Sequence, residues 1–200
     1  MSDGMKNEGS RDGSRGTVPL ESSFGTFRGN RPKEPSPGSH LVHPIPPTFD
    51  KTSRILVLGS FPSPKSRESG YFYGHPQNRF WRIIAELFDE EVPKTVEEKH
   101  ALLQKHHIAA WDVIQSCTIK GASDSSISDV IVNDLRPILE GSEIRQIFVN
   151  GKTAYKYFRK YTEPLIGRTA VCLPSTSPAN AAWSLSRLTE AWSIIKEYTE

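Results

Sequence analysis

Residues 54–81 have the sequence RILVLGSFPSPKSRESGYFYGHPQNRFW, and this stretch decides the fold. It begins with a short, continuous apolar run, Ile55 to Leu58, which Gly59 ends. Such a run is typical of a strand that helices cover on both faces, as in a parallel sheet. We therefore expect the residues after Gly59 to leave the carboxyl edge of a parallel sheet, where open α/β folds bind their ligands.

The loop that follows this strand is crowded with groups that recognise flat polar rings. Gly59 and Ser60 can turn backbone N–H groups toward a ligand, and the prolines that follow them stiffen the loop. An aromatic run, residues 71–73, comes next. Pro76 then predicts the first position of a helix that reaches Leu87. We interpret this loop as the active site.

Strands and helices alternate along the rest of the domain. Further strands are predicted at 108–113, 144–149 and 169–173, helices at 95–106, 152–161 and 185–199, and a loop at 117–126. Thr95 and Glu98 form a capping box at the start of the first of these helices. The alternation predicts an α/β fold of three layers, αβα, with a parallel sheet at its centre and right-handed crossovers.

Composition divides the chain of 200 residues into a tail and one domain. Residues 1–42 contain few branched apolar side chains and many Gly, Ser, Pro and charged residues, so they are predicted to be a disordered N-terminal tail. Basic residues of the tail can touch DNA phosphates, but a solvated linker is the favoured interpretation. The domain is expected to span residues 43–200, which is enough for a single core.

Charge and cysteine content narrow the class of protein. The net charge of +2 does not by itself indicate a nucleic-acid binder. Basic residues do cluster around the first stretch, although a solvated face explains them equally well. Two cysteines are too few for an iron–sulfur cluster or a zinc knuckle. We expect a protein that works without metal or cofactor. With no apolar membrane span and no secretory signal, we expect an intracellular protein, in the cytoplasm, nucleoid or nucleus.

Two separated motifs carry a resemblance to a known family. GSFPSPKS with YFYGHPQNRFW, followed about a hundred residues later by LPSTSPANA, resembles the uracil-DNA glycosylase superfamily, and most closely its hypoxanthine-DNA (DNA-deoxyinosine) glycosylase branch. The resemblance implies a four-stranded parallel sheet of order 2-1-3-4. It also implies a monofunctional DNA glycosylase that starts base excision repair by removing hypoxanthine, and secondarily uracil, from double- or single-stranded DNA. We expect it to act as a monomer.

The resemblance also implies catalytic residues. Phe61 stands where many members carry an Asp or Asn that activates water, so the water-handling amide is placed at Asn78, whose alternative role is a helix cap. Backbone N–H groups of Ser60 and Phe61 are expected to stabilise the departing base. Ser175 occupies the position of a family His, and we expect it to give weaker help to the leaving group.

Base recognition is assigned to four residues at this edge. Tyr73 matches the family aromatic that stacks on the flipped base, with packing on the edge of the core as the alternative. Asp112, at the end of the second predicted strand, is expected to read the base, or else to cap the next turn. His75 can protonate a purine or complete a cap, and Gly59 contributes backbone.

DNA contacts are expected from the second motif and from the first loop. The loop of Ser177, Pro178, Ala179 and Asn180 resembles the one that pinches the DNA backbone, although it also fits an ordinary strand-to-helix turn. Lys65 and Arg67 are further candidates for phosphate binding. Phe61 and Ser175 also make a non-catalytic nucleic-acid-binding protein credible, and a small-molecule hydrolase is a third possibility for the same crevice.

Overall fold

The computed structural model describes residues 38–120 and 126–200. Its strands are β1 (Ser39–Val42), β2 (Ile55–Gly59), β3 (Ile108–Asp112), β4 (Ile114–Ile119), β5 (Ser128–Val132), β6 (Gln146–Asn150) and β7 (Ala170–Leu173). Its α-helices are α1 (Pro64–Ser69), α2 (Phe80–Leu87), α3 (Val96–Lys105), α4 (Arg136–Glu140), α5 (Lys152–Tyr157), α6 (Glu163–Ile166), α7 (Leu185–Trp192) and α8 (Lys196–Thr199). A π-helical turn (Phe158–Thr162) joins α5 to α6, and a 3₁₀ turn (Ser193–Ile195) joins α7 to α8.

The central sheet has four parallel strands in the order β3-β2-β6-β7. These are the four strands predicted from the sequence, and their spatial order is the predicted 2-1-3-4. Val57 of β2 pairs with Ala110 on one side and with Phe148 on the other, which places β2 in the middle of the sheet. The predicted α/β fold is therefore confirmed.

Helices cover both faces of β2, as its unbroken apolar sequence predicts. Ile55 and Val57 join one core cluster, together with side chains of α2, α3 and α7. Leu56 and Leu58 point the other way and join a second cluster with side chains of α4, α5 and β4. All four side chains are fully buried. The alternation of a strand thus divides the core into the two outer layers of the αβα sandwich.

A second sheet, antiparallel and of order β1-β4-β5, was not predicted. The second predicted strand stops at Asp112, and the chain turns at Val113 into β4, so the predicted loop 117–126 begins inside a strand. Residues 121–125 of that loop lie outside the described residues. β1 lies within the tail predicted to be disordered, so order begins before residue 43. For residues 1–37 the prediction falls outside the described ranges.

The loop after β2 also contains more structure than its prolines suggest. Ser63 caps α1 through a side-chain bond from the Ser66 N–H, and Gly70 ends the helix in the left-handed conformation. The next helix was predicted from Pro76 but begins at Phe80, since Pro76 lies in a turn. The capping box of Thr95 and Glu98 is confirmed at α3.

Three further observations concern the cysteines, membrane spans and metal ligands. Cys117 is buried, whereas Cys172 on the edge strand β7 is exposed. In the described ranges, no helix is both long and apolar enough to cross a membrane. The same ranges bring no three His, Cys, Asp or Glu side chains together as metal ligands.

Candidate active site

The two sequence motifs meet at the carboxyl edge of the central sheet. Gly59 ends β2 and pairs with Asp112 at the end of β3. On the other side, Asn150 ends β6 and pairs with Leu173 at the end of β7, directly before the second motif. Since parallel strands end at one edge, residues far apart in the chain are brought into a single crevice.

Asp112 is held in this edge by His43, a residue the sequence analysis did not select. The carboxylate Oδ2 accepts a hydrogen bond of 2.8 Å from His43 Nε2. The other ring nitrogen, Nδ1, accepts from the Ile45 N–H at 3.2 Å, so the proton of a neutral ring lies on Nε2. Both side chains are buried, at 1% exposure for His43 and 7% for Asp112.

The unpredicted antiparallel sheet places His43. His43 follows β1 directly, and its backbone N–H donates a hydrogen bond of 2.7 Å to the carbonyl of Gln115 in β4. Its ring then packs edge-on against Phe61 at 5.9 Å and Trp111 at 6.1 Å between centroids. Within the described ranges, the Asp112 carboxylate accepts from no N–H of the following turn, and Asp112 lies at the end of the second predicted strand, as expected.

Replacing His43 by Leu is expected to destabilise the fold by about 1.5–3 kcal/mol, the usual worth of a buried hydrogen bond to a charged group. The buried carboxylate of Asp112 loses its donor and is left unpaired. Urea unfolding at pH 7 measures the loss.

A matched control lies at the opposite edge of the sheet. His106 also donates 2.8 Å to a carboxylate, that of Glu90, but both side chains are more exposed, at 16% and 23%. His106→Leu should therefore cost less than His43→Leu. Equal losses of stability in the two variants would show that burial does not strengthen the bond between His43 and Asp112.

Gly59 is required because two polar atoms converge on it. A Cβ at this position would collide with Asp112 Oδ1 and would lie 3.5 Å from the Tyr73 hydroxyl. Tyr73 has a positive φ of 53°, an unusual conformation for a bulky residue, and its ring stacks on Phe80 with centroids 3.9 Å apart. One face of the Tyr73 ring is thus occupied by the core, as the alternative interpretation expected.

Phe61 has no polar role for its side chain. The ring is buried between the His43 imidazole and the guanidinium of Arg67, which lies 5.9 Å from the ring centroid. Phe61 thus forms an apolar wall beside the His43–Asp112 bond, and only its backbone can serve the chemistry. The Ser60 and Gly59 carbonyls accept from Ile114 and Val113, which ties the motif to the start of β4.

Asn78 belongs to a polar chain that links both motifs. Its Oδ1 accepts from the Phe80 N–H at 3.0 Å, the first N–H of α2, and from the Thr176 hydroxyl at 2.9 Å. Thr176 is fully buried and exchanges two further bonds of 2.9 Å with the Asn150 side chain. Asn78 thus holds the first N–H of α2, although the N-cap residue itself is Arg79, which makes no side-chain cap bond. The Asn78 Nδ2 makes no hydrogen bond with the residues that the structure describes.

Arg79 ties the second motif to the start of α2. Its guanidinium donates to the carbonyls of Ser177 at 2.5 Å, Asn180 at 3.1 Å and Trp183, and its Nε and backbone N–H both donate to that of Thr176. Four carbonyls of one loop therefore converge on one side chain. Sequence reasoning counted Arg79 only among the basic residues of the first motif.

The second-motif loop is further braced from within. Ser175 Oγ accepts from the Ser177 N–H at 3.2 Å and packs against Gly151, where a Cβ would come within 2.8 Å of Ser175 Cβ. Asn180 Nδ2 donates to the Ser175 carbonyl at 2.9 Å, and Ser177 Oγ accepts from Ala179. Pro178 and Ala179 remain exposed at the tip, so the loop presents a small, stiff surface to solvent.

The remaining predicted residues, His75, Arg67 and Lys65, contact neighbours within the first loop. His75 Nδ1 accepts from the Gln77 N–H, so its side chain completes a turn. Arg67 donates to the Pro62 carbonyl at 2.7 Å and folds over Phe61. Lys65 is exposed and paired with Glu68. A phosphate contact requires Arg67 to leave its present partners, whereas Lys65 has only a weak surface pair to break.

Sequence reasoning missed His43, Thr176 and Asn150. Asn150 and Gly151 form an Asn-Gly pair after a buried strand, and the position of this pair at the carboxyl edge was the available signal for Asn150. Thr176 lies inside the second motif but was passed over for its neighbours. Nothing local marks His43, since its partner lies 69 residues away.

Fold and site together place the chain among three-layer α/β proteins with a polar crevice at the carboxyl edge of a parallel sheet. The chain belongs to the uracil DNA glycosylase superfamily, whose family model matches residues 46–197.

Individual relatives agree with this assignment. The chain is 35% identical over 156 residues to a protein of Methanosarcina acetivorans named hypoxanthine DNA glycosylase, covering 76% of this chain and 95% of that protein. A protein of the same name from Methanosarcina barkeri is 29% identical over 141 residues, covering 68% and 86%. A solution NMR structure of a candidate uracil DNA glycosylase from Methanosarcina acetivorans superposes with a TM-score of 0.67 at 31% identity, covering 79% of this chain and 98% of that one.

Proposed function

We propose that this chain is a monofunctional DNA glycosylase that removes deaminated bases from DNA, hypoxanthine first and uracil second. Its relatives named hypoxanthine DNA glycosylase support the substrate class. The observation that carries the proposal is the Asp112 carboxylate at the carboxyl edge, with Oδ2 bonded to His43 and Oδ1 accepting from none of the described residues. The protein acts inside the cell as a monomer on duplex or single-stranded DNA.

Asp112 supplies the selectivity for a deaminated base. An ionised carboxylate only accepts hydrogen bonds, and hypoxanthine N1–H and uracil N3–H both donate. Adenine and cytosine present a bare ring nitrogen at the comparable position, so their lone pair faces the charge and both groups stay unpaired. A mismatch of this kind rejects the wrong base strongly, because buried unpaired polar groups are penalised.

The chemistry is a hydrolysis without a strong base. The C1′–N9 bond of deoxyinosine breaks and its electron pair leaves with the base, while the sugar becomes an oxocarbenium-like cation. Backbone N–H groups of Ser60 and Phe61 stabilise the charge on the base, with a weaker contribution from Ser175. Water held by Asn78 adds to C1′, and one of its protons ends on the departed base. The exposed tip at Pro178 and Ala179 enters the DNA groove.

The decisive experiment uses labelled duplexes that carry one inosine, uracil or xanthine. After incubation with the purified protein, alkali should cleave the inosine strand most and the uracil strand less. No cleavage should appear without alkali, since a monofunctional enzyme leaves the abasic site intact. Binding of all three duplexes without any abasic product from the folded protein would favour a nucleic-acid-binding protein that has lost the chemistry.

The second test uses Asn78, because its Oδ1 makes structural bonds whereas its Nδ2 is the proposed donor to water. Asn78→Ala should lose most turnover while duplex affinity is kept. Asn78→Asp keeps the oxygen that accepts from the Phe80 N–H and from Thr176, but it removes the Nδ2 donor that holds water. We expect both variants to lose at least tenfold in single-turnover excision of hypoxanthine. Unchanged single-turnover rates of a folded Asn78→Ala protein would leave Asn78 only its structural bonds to Phe80 and Thr176.

A further inference from the structure

The Tyr73 hydroxyl is shielded from solvent, and none of the residues that the structure describes forms a hydrogen bond of normal geometry with it. The Asn150 side chain lies close enough to lower the pKa of this hydroxyl, but its Oδ1 and Nδ2 both bond Thr176. Burying an unpaired hydroxyl is costly, and native structures keep few such groups without a functional reason. A phenylalanine would fill the same space without that cost.

The hydroxyl keeps its proton and so remains a donor. Burial raises the pKa of Tyr73 well above its usual value, and the negative charge of Asp112 raises it further. At neutral pH the group is therefore a neutral O–H beside a carboxylate that the His43 bond holds in place.

Donor and acceptor face the same small space. Asp112 Oδ1 and the Tyr73 oxygen both lie next to the point where a side chain on Gly59 would begin. The Tyr73 ring is fixed by its stack on Phe80, so the hydroxyl cannot swing freely away. The crevice thus presents an acceptor and a donor side by side, at the end of β2.

We infer that the Tyr73 hydroxyl donates to the carbonyl oxygen of the base, next to the N–H that Asp112 accepts. Hypoxanthine presents N1–H beside O6, and uracil presents N3–H beside O4, so both match the pair of protein groups. As the glycosidic bond breaks, negative charge spreads onto this carbonyl, and the hydrogen bond strengthens in the transition state. The inference rests on the proposed function and adds a second reading group to it.

This role differs from the stacking role predicted from the sequence. A hydroxyl that bonds the edge of the base contributes through its oxygen, whereas a stacking ring works equally well as phenylalanine. Tyr73→Phe therefore separates the two roles. Tyr71→Phe is the matched control, since the Tyr71 hydroxyl is also buried but bonds Thr48 Oγ1 at 3.1 Å.

The two substitutions should have opposite effects. Tyr73→Phe should melt at the wild-type temperature or above it, yet lose roughly tenfold in single-turnover excision of hypoxanthine at saturating enzyme. Tyr71→Phe should keep wild-type excision and melt about 2–4 °C lower, because it loses a satisfied bond. Wild-type excision by Tyr73→Phe would overturn the inference and leave the proposed function intact. A wild-type protein that excises neither base would overturn both.

A modified substrate tests the same contact by changing the acceptor on the base. In 6-thioinosine the ring keeps N1–H for Asp112, but sulfur is a weaker acceptor than oxygen. The ratio of wild-type to Tyr73→Phe rates should fall from roughly ten on inosine toward one on the thio substrate. An unchanged ratio would show that the hydroxyl acts elsewhere than on this carbonyl.

Discussion

Asp112→Asn is expected to lower excision of hypoxanthine at least a hundredfold, which corresponds to about 2.7 kcal/mol of transition-state binding. The loss is expected to be large because the hydrogen bond from His43 fixes the orientation of the new amide. The Nε2–H of His43 donates to the position of Oδ2, so the amide oxygen must take that position and the NH₂ group must take the position of Oδ1. A donor then faces the N1–H of hypoxanthine, and neither group finds an acceptor.

The same orientation predicts a change of selectivity. Adenine presents a bare N1 that can accept from the Asn NH₂ group, so the ratio of adenine to hypoxanthine excision should rise. Single-turnover assays on inosine and adenosine duplexes measure both effects in one preparation. Glu90→Gln is the control, because it changes the carboxylate of the other His–carboxylate pair, far from the carboxyl edge. Wild-type rates from folded Asp112→Asn protein would show that this carboxylate does not read the base.

The sequence was sufficient for the parts of the fold that local patterns encode. Ile55 to Leu58 predicted a covered parallel strand because its four apolar side chains alternate between two helical layers. The capping box of Thr95 and Glu98 was equally readable, since its bonds span only three residues. Such signals depend on neighbours in the chain and survive without knowledge of the tertiary structure.

The second sheet could not be predicted, because its strands depend on segments that are distant in the chain. β5 has no buried side chain and only a weak alternation of exposure, and β1 is four residues long beside a Gly- and Pro-rich segment. Both strands are stabilised by β4, whose first half the sequence analysis left unassigned and whose second half it placed in a loop. Pairing between distant segments decides such strands more than their composition does.

The site shows the same division between local and distant information. Asp112 was placed correctly because a parallel strand ends there. His43 was missed because β1 has to pair with β4 before the imidazole can reach Asp112. The burial of the Tyr73 hydroxyl is likewise a property of the packed edge, and the sequence offered only an aromatic ring at the family position.

Arg79→Met is expected to lower duplex affinity and turnover together, each by at least tenfold, and to destabilise the fold by about 3 kcal/mol or more. Methionine keeps much of the apolar stem but removes the donors that collect four carbonyls of the second-motif loop. Those carbonyls then turn to water, and the loop that presents Pro178 and Ala179 loses its fixed shape. A loop that must be ordered during binding costs affinity, and a displaced Ser175 costs turnover.

Two further variants separate geometry from charge. Arg79→Lys keeps the positive charge but replaces the planar fork by a single ammonium group, which cannot span carbonyls on both sides of the loop. It should therefore restore little of the lost activity. Arg82→Met removes an exposed positive charge three residues along the same helix and should change affinity only slightly, in a salt-dependent way. If Arg82→Met and Arg79→Met weakened binding equally, with equal stability, Arg79 would be acting on DNA phosphates through its charge. We expect unequal losses, because the carbonyl contacts of Arg79 fix the shape of the loop that we propose to meet the DNA.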